Sequence, residues 1–168
     1  VSSLEQMYQQ VILDHAKHPV GRGLVDAPAG HLAGESHQIN PTCGDEVTLR
    51  VAVRPDGHVD TVTWEGQGCS ISQASVSVMT SLVTDASMAE VARLDALFHD
   101  LMGSRGKGLG SDDAEDALGD ATAFTGVSQY PARIKCALLG WAALKDSLAR
   151  SGALAAAQGS PPQTKEEA

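Results

Sequence analysis

The sequence has no stripe of basic residues, no apolar run long enough to span a bilayer, no secretory signal pattern and no paired Cys-x-x-Cys motif. Each absence removes a class of function. Twelve Lys and Arg against twenty-one Asp and Glu give a formal net charge of −9. That leaves nothing to displace counterions from a phosphate backbone, so no nucleic-acid partner is expected. Without an apolar span, no membrane role is expected either. The three cysteines are odd in number and far apart. Together with the missing secretory signal they disfavour a disulfide scaffold, and reduced thiols in the cytoplasm are the expectation. Without paired Cys-x-x-Cys there is no zinc-ribbon signature. Residues 103–110 hold four glycines with Arg105 and Lys107, yet a Walker loop is lacking. Such a loop needs Gly-Lys followed by Ser or Thr after a strand, and here Gly108 follows Lys107 after a helical pattern.

What remains is one domain with a substantial core, since 42% of the 168 residues are apolar. Ser2 and Glu5 have capping-box spacing ahead of Leu4, Met7, Tyr8, Val11 and Ile12, an amphipathic helix that ends before Pro19. His15 and His18 near its end read as partners of the helix dipole rather than as metal ligands. Strands are expected over 33–39, 46–53 and 59–65, the last two forming a hairpin through Pro55-Asp56-Gly57. A helix follows Cys69 with Ile71, Ala74, Ser75, Val78 and Leu82 on its buried side. Another, capped by Ser87 and Glu90, carries Val91, Leu94, Phe98, Leu101 and Met102 to Gly103. Segment 103–120 reads as an exposed insertion. The last helix runs over 131–150, with Ile134, Leu138, Trp141, Leu144 and Leu148 inward and Gly152 as its stop. The domain is thus placed at 1–152, with 153–168 as a disordered tail.

The stretch that organises the chain is 40–45, Asn-Pro-Thr-Cys-Gly-Asp. Val47, Leu49, Val51 and Val53 alternate with Glu46, Thr48, Arg50 and Ala52, the period-two pattern of a half-buried strand. If the extended backbone begins at Cys43, then Cys43 and Asp45 share the inward parity. A carboxylate there needs a compensating partner such as a cation. Cys69 opens a helix, where unpaired N–H groups and the dipole favour thiolate; taken alone it reads as a small buried hydrophobe. Cys136 lies between Arg133 and Lys135, cations that ease a nearby anionic centre. Three thiolates and one carboxylate are a tetrahedral ligand set, though the spacing alone does not establish it.

Four segments, taken in order, make the sequence specific. YQQVILDHAKHP at 8–19, NPTCGD at 40–45, GQGCSIS at 66–72 and RIKCALLGW at 133–141 resemble the U-type iron–sulfur cluster assembly family. Each cysteine falls inside one of the motifs. Within that family the chain resembles the SufU branch rather than the IscU branch. Lys135 stands where IscU-type proteins carry His, and 103–120 matches the SufU-type insertion. The resemblance implies an α+β fold, a three-stranded antiparallel sheet with helices mainly on one face. It implies Zn²⁺ held by Cys43, Asp45, Cys69 and Cys136. It also implies a sulfur acceptor working with a PLP-dependent cysteine desulfurase of the SufS type and serving downstream iron–sulfur scaffold proteins. Cys43 is the expected persulfide acceptor, freed when a partner donor takes its place on the metal. Arg133 is expected to position or contact the partner. Two alternatives stay open: a scaffold building a transient [2Fe–2S] cluster on the same ligands, and a structural zinc module that only binds a partner.

Overall fold

Alternation in the second strand sets the architecture. The computed structural model describes residues 3–159, and in it β2 (Asp45–Val53) is the central strand between β1 (Leu32–Asn40) and β3 (Val59–Gln67), both antiparallel to it. Val47, Leu49, Val51 and Val53 are buried, while Glu46, Thr48 and Arg50 on the other face stay partly exposed. The register pairs Asn40 with Asp45 and Glu46 with Gln67, which brings the β1–β2 turn and the end of β3 to one end of the sheet.

The inner face is covered by α2 (Ser70–Val83) and α5 (Pro131–Ser151). Two hydroxyl bonds tie these layers. Ser147 Oγ donates to the Leu49 carbonyl at 3.2 Å, and Ser75 Oγ donates to the Ala137 carbonyl at 2.6 Å. The expectation of a one-sided apolar stripe on α2 is corrected. Ile71 and Leu82 are only partly buried, whereas Ser72, Val76, Ser77, Met79 and Thr80 are fully buried. The helix is enclosed by α1, α5 and the sheet, so its small and hydroxyl residues also face protein.

The opposite correction applies to α1 (Ser3–Lys17). None of its residues is buried, Leu4 and Met7 are half exposed, and only Ile12 and Ala16 pack on the core. The cap expected at Ser2 lies outside the described residues. His15 has a structural task beyond its place at the helix end. Its Nδ1 lies 2.7 Å from Ser77 Oγ, which also accepts the Val20 N–H, and its Nε2 lies 3.3 Å from Asp120. It therefore fastens three elements together, far in sequence from any cysteine.

Ser87 caps α3 (Met88–Met102) by accepting the Glu90 N–H at 3.2 Å. The segment after it is folded rather than loose. Ser104 and Ser128 hydroxyls take the Gly108 and Gly106 amides, and α4 (Asp112–Leu118) buries Leu118. A 3-10 helix (Gly119–Gln129), which has no counterpart in the sequence reading, seats Phe124 edge-on to Phe98, and Phe98 stacks on Trp141 at 5.3 Å. Past Gly152, in the left-handed region at φ +83°, the chain continues as α6 (Ala153–Ala157). This corrects the disordered tail for those residues. Ala153 is buried and Leu154 packs on the core, which gives the Ala-rich run a surface to fold against. The rest of the expected tail, 160–168, lies outside the described residues. No described helix is long and apolar enough to cross a membrane.

Candidate metal centre

The turn between β1 and β2 is closed by the Gly44 N–H donating to the Asn40 carbonyl at 2.9 Å, and by the Thr42 N–H donating to Asn40 Oδ1 at 3.2 Å. Gly44 sits at φ +74°, which a residue with a Cβ adopts only with strain. That turn decides the parity. Extended backbone begins at Asp45, not at Cys43, so the two side chains do not share one environment as the alternation suggested. Cys43 is exposed on the turn, whereas Asp45 retains 2% exposure.

Around Asp45 the other elements converge. Cys69 is the N-cap residue of α2, and its N–H donates to Asp45 Oδ1 at 3.1 Å while its thiol lies 3.7 Å from Oδ2. Gly68 makes this approach possible: a Cβ there would stand 2.5 Å from Asp45 Oδ1 and 2.5 Å from Ser72 Oγ. From α5, the Cys136 thiol, almost fully buried, meets Cys43 Sγ at 3.6 Å and donates to the Ala132 carbonyl at 3.7 Å. Ligand atoms of Cys43, Asp45 and Cys136 all lie within 4.8 Å of one another. Cys69 stands outside that group of three and joins it through Asp45.

The electrostatics follow from this packing. Burial opposes the charged form of Asp45, but hydrogen bonds from the Cys136 and Cys43 thiols and from the Cys69 N–H and thiol outweigh it and hold the carboxyl below its ordinary range. Burial pushes the Cys136 thiol far up, and hydrogen bonding to Asp45 and Cys43, with the charges of Cys69 and Asp45, pushes it further. Three sulfurs and a carboxylate are thus crowded together with no Lys, Arg or His bonded to Asp45 among the described residues. The expectation that Arg133 and Lys135 compensate the centre finds no direct contact. Both are exposed on the first turns of α5, and neither makes an ion pair among the described residues. A buried carboxylate ringed by thiols is the donor set of a thiophilic metal, so Cys43, Asp45 and Cys136 fit Zn²⁺ or the iron of a cluster, with Cys69 beside them through Asp45.

Three residues of this site escaped the sequence reading as contributors: Asn40, which closes the turn, Gly68, and Ser72, whose hydroxyl donates to the Cys69 carbonyl at 3.0 Å. The two glycines flanking Gln67 were the available signal for Gly68; nothing in composition marks the other two. A cavity of about 310 Å³ lies elsewhere, on the outer sheet face. No thiol lines it, and its Arg50 is already held by Glu35 at 2.7 Å and Asp26 at 3.2 Å.

Comparison with known proteins bears on the same site. Residues 7–137 match the model of the NifU-like N terminal domain. The chain is 39% identical over 150 residues to the zinc-dependent sulfurtransferase SufU of Bacillus subtilis, covering 89% of this chain and 94% of that protein. It is 36% identical over 152 residues to the iron-sulfur cluster assembly scaffold protein IscU of Streptococcus pyogenes, covering 90% and 88%. Among solved structures, a putative iron-sulfur cluster assembly scaffold protein for the SUF system from Fervidobacterium islandicum superposes with a TM-score of 0.70 at 29% identity, covering 88% of this chain and 99% of that one. A nitrogen-fixing NifU-like protein (N-terminal) from Brucella abortus gives 0.69 at 26% identity, covering 89% and 97%.

Proposed function

The chain belongs to the family of NifU-like N-terminal domains, proteins of iron–sulfur cluster assembly, and from that premise we propose that it is a zinc-dependent sulfur acceptor. In this reading it collects the terminal sulfur of a persulfide made by a PLP-dependent cysteine desulfurase and hands it to iron–sulfur scaffold proteins. The observation that carries the proposal is the contrast between an exposed Cys43 on a glycine turn and the buried Asp45 and Cys136 it touches. When bound by Cys43, Asp45, Cys69 and Cys136, the metal supplies a redox-inert Lewis acid that favours thiolate over thiol at neutral pH.

The chain's own residues divide the work. Asp45 and Cys136, both buried and fixed in β2 and α5, stay in place. Cys43 sits outside any strand or helix on an exposed turn, so of these residues it is the one an approaching donor meets first. As thiolate, Cys43 Sγ attacks the terminal sulfur of the donor persulfide. A new S–S bond forms on Cys43, the donor's S–S bond breaks, and its electron pair leaves with the donor cysteine as thiolate. Arg133, exposed and one turn before Cys136, is assigned to contact or orient that partner. The test is incubation with a cysteine desulfurase and free cysteine, followed by mass spectrometry of the intact protein. Cys43 should gain one sulfur atom and Cys43→Ala none, with unchanged circular dichroism. Sulfur appearing on Cys43→Ala would reject Cys43 as the acceptor.

A second reading, assembly of a [2Fe–2S] cluster as cargo on the same side chains, is favoured by the scaffold names of relatives at 36% and 34% identity. Anaerobic reconstitution separates the two: a stable cluster favours the scaffold, whereas tight zinc with persulfide uptake favours the carrier.

A further inference from the structure

Among the described residues, three buried side-chain nitrogen or oxygen atoms lack a hydrogen-bond partner: His31 Nδ1, Asn40 Nδ2 and Asp95 Oδ1. Two belong to side chains set in ion pairs, since His31 Nε2 meets Asp60 at 3.1 Å, and Asp95 meets Lys145 and His99 at 3.5 Å each. Asn40 differs in kind. Its amide is neutral, 7% of the residue is exposed, and its NH₂ offers two protons to nothing. Leaving a buried donor unmet costs free energy, and an amide has an obvious way to avoid it by turning over. Here that route is closed: Asn40 Oδ1 accepts the Thr42 N–H at 3.2 Å, which fixes the oxygen there and leaves the NH₂ on the other branch of the amide.

The register says on which face of the sheet the side chain stands. Asn40 and Asp45 are directly opposed across the β1–β2 ladder, so their side chains rise on the same face of the sheet. That is the face on which Asp45 meets Cys43 and Cys136. The same Asn40 closes the turn that bears Cys43, through its carbonyl to Gly44 and its side chain to Thr42. A donor held beside a sulfur-bearing turn, and left without an acceptor, suits a state in which one more acceptor atom arrives.

We propose that Asn40 is a binding residue of the sulfur site, its side-chain NH₂ donating to the outer sulfur of a persulfide carried on Cys43. The proposal rests on the reading of Cys43 as the acceptor. It assigns the arriving sulfur a hydrogen bond that a bare Cys43 does not use, so Asn40 favours the loaded state over the empty one. An anionic sulfur is the stronger acceptor, and charge-assisted bonds are the stronger class.

The probe is inorganic polysulfide, which needs no partner protein. Cys43 thiolate attacks its terminal sulfur, the adjacent S–S bond breaks with its electron pair leaving on the shortened polysulfide, and the new S–S bond forms on Cys43. Loaded zinc-containing protein is freed of polysulfide, and loss of the extra sulfur is followed by mass spectrometry. Three proteins are compared: the natural chain, Asn40→Asp and Asn40→Ser. Both variants keep an oxygen for the Thr42 N–H and lose the NH₂, and their melting temperatures are measured alongside. The natural chain should keep its sulfur about tenfold longer than either variant, a difference that equal zinc content and equal melting would leave untouched. Equal lifetimes in all three overturn the proposal, as they would if the amide only closed the turn or held a buried water. No sulfur on Cys43 of the natural chain overturns the parent reading as well, and so tells the two failures apart.

Discussion

The two ends of the sheet gather acidic side chains in opposite ways. At the β2–β3 turn, Arg54 meets Asp85 at 2.8 Å, Asp56 at 3.3 Å and Asp60 at 3.9 Å, and His31 and His58 stand against Asp60 and Asp56. Asp85 and Asp56 have side chains 74% and 57% exposed, so water and a guanidinium satisfy them together. At the β1–β2 end, Asp45 is 2% exposed, and among the described residues its carboxylate is hydrogen-bonded by thiols and one backbone N–H alone. The first cluster is complete as it stands. Among the described residues the second carries a buried carboxylate and three sulfurs with no cation bonded to it, which is why it, and not the larger gathering of charges, is the end we propose as functional.

The strongest way to sharpen this comparison is to remove the metal. Chelation should lower the melting temperature steeply, because structural zinc contributes on the order of 10–16 kcal/mol, comparable with the whole stability of a domain. Calorimetry with parallel metal analysis checks it, and unchanged melting after verified metal loss would contradict a centre that joins three elements. Next in size is Gly68→Ala. Its methyl would collide with Asp45 Oδ1 and Ser72 Oγ, so a loss of about 1–3 kcal/mol in stability is expected. Metal affinity should fall by about 10–100-fold, as for other changes that displace a ligand from behind, measured by competition with a chromophoric chelator. The smallest effect belongs to the opposite end. Arg54→Ala should lower the melting temperature by about 2–3 °C at pH 7 and leave metal affinity unchanged. Asp56 is held below its ordinary pKa by the His58 N–H and, after burial works against it, by Arg54. Its stabilisation is therefore complete above the ordinary carboxylate range and vanishes as pH falls through the lowered value. The gap between Arg54→Ala and the natural chain should accordingly narrow in acid.

Much of this was legible beforehand for a physical reason. Strands with one buried face must alternate, and 46–53 does, so the central strand and its hairpin could be placed by counting. The caps at Ser87 and Gly152 and the length of α5 follow from equally local rules. Where burial is set from several sides the rules fail. The stripe on α1 is half exposed, and α2 is buried around most of its circumference, because exposure depends on neighbours that periodicity does not name. The 3-10 helix with Phe124 went unseen since its buried Ala121, Phe124 and Val127 recur every third residue, a 3-10 spacing rather than the α-helical or strand period.

For the centre the division is sharper. The sequence by itself named the candidate donor atoms: three thiols and a carboxylate, each within a motif that resembles the family's. Only the tertiary structure decided their inequality, because a turn with a positive φ at one glycine left Cys43 exposed while the strand carried Asp45 in. Ligand identity is a property of side-chain chemistry, and chemistry is written residue by residue. Which ligand is free to move is a property of burial, and burial exists only once distant elements have packed.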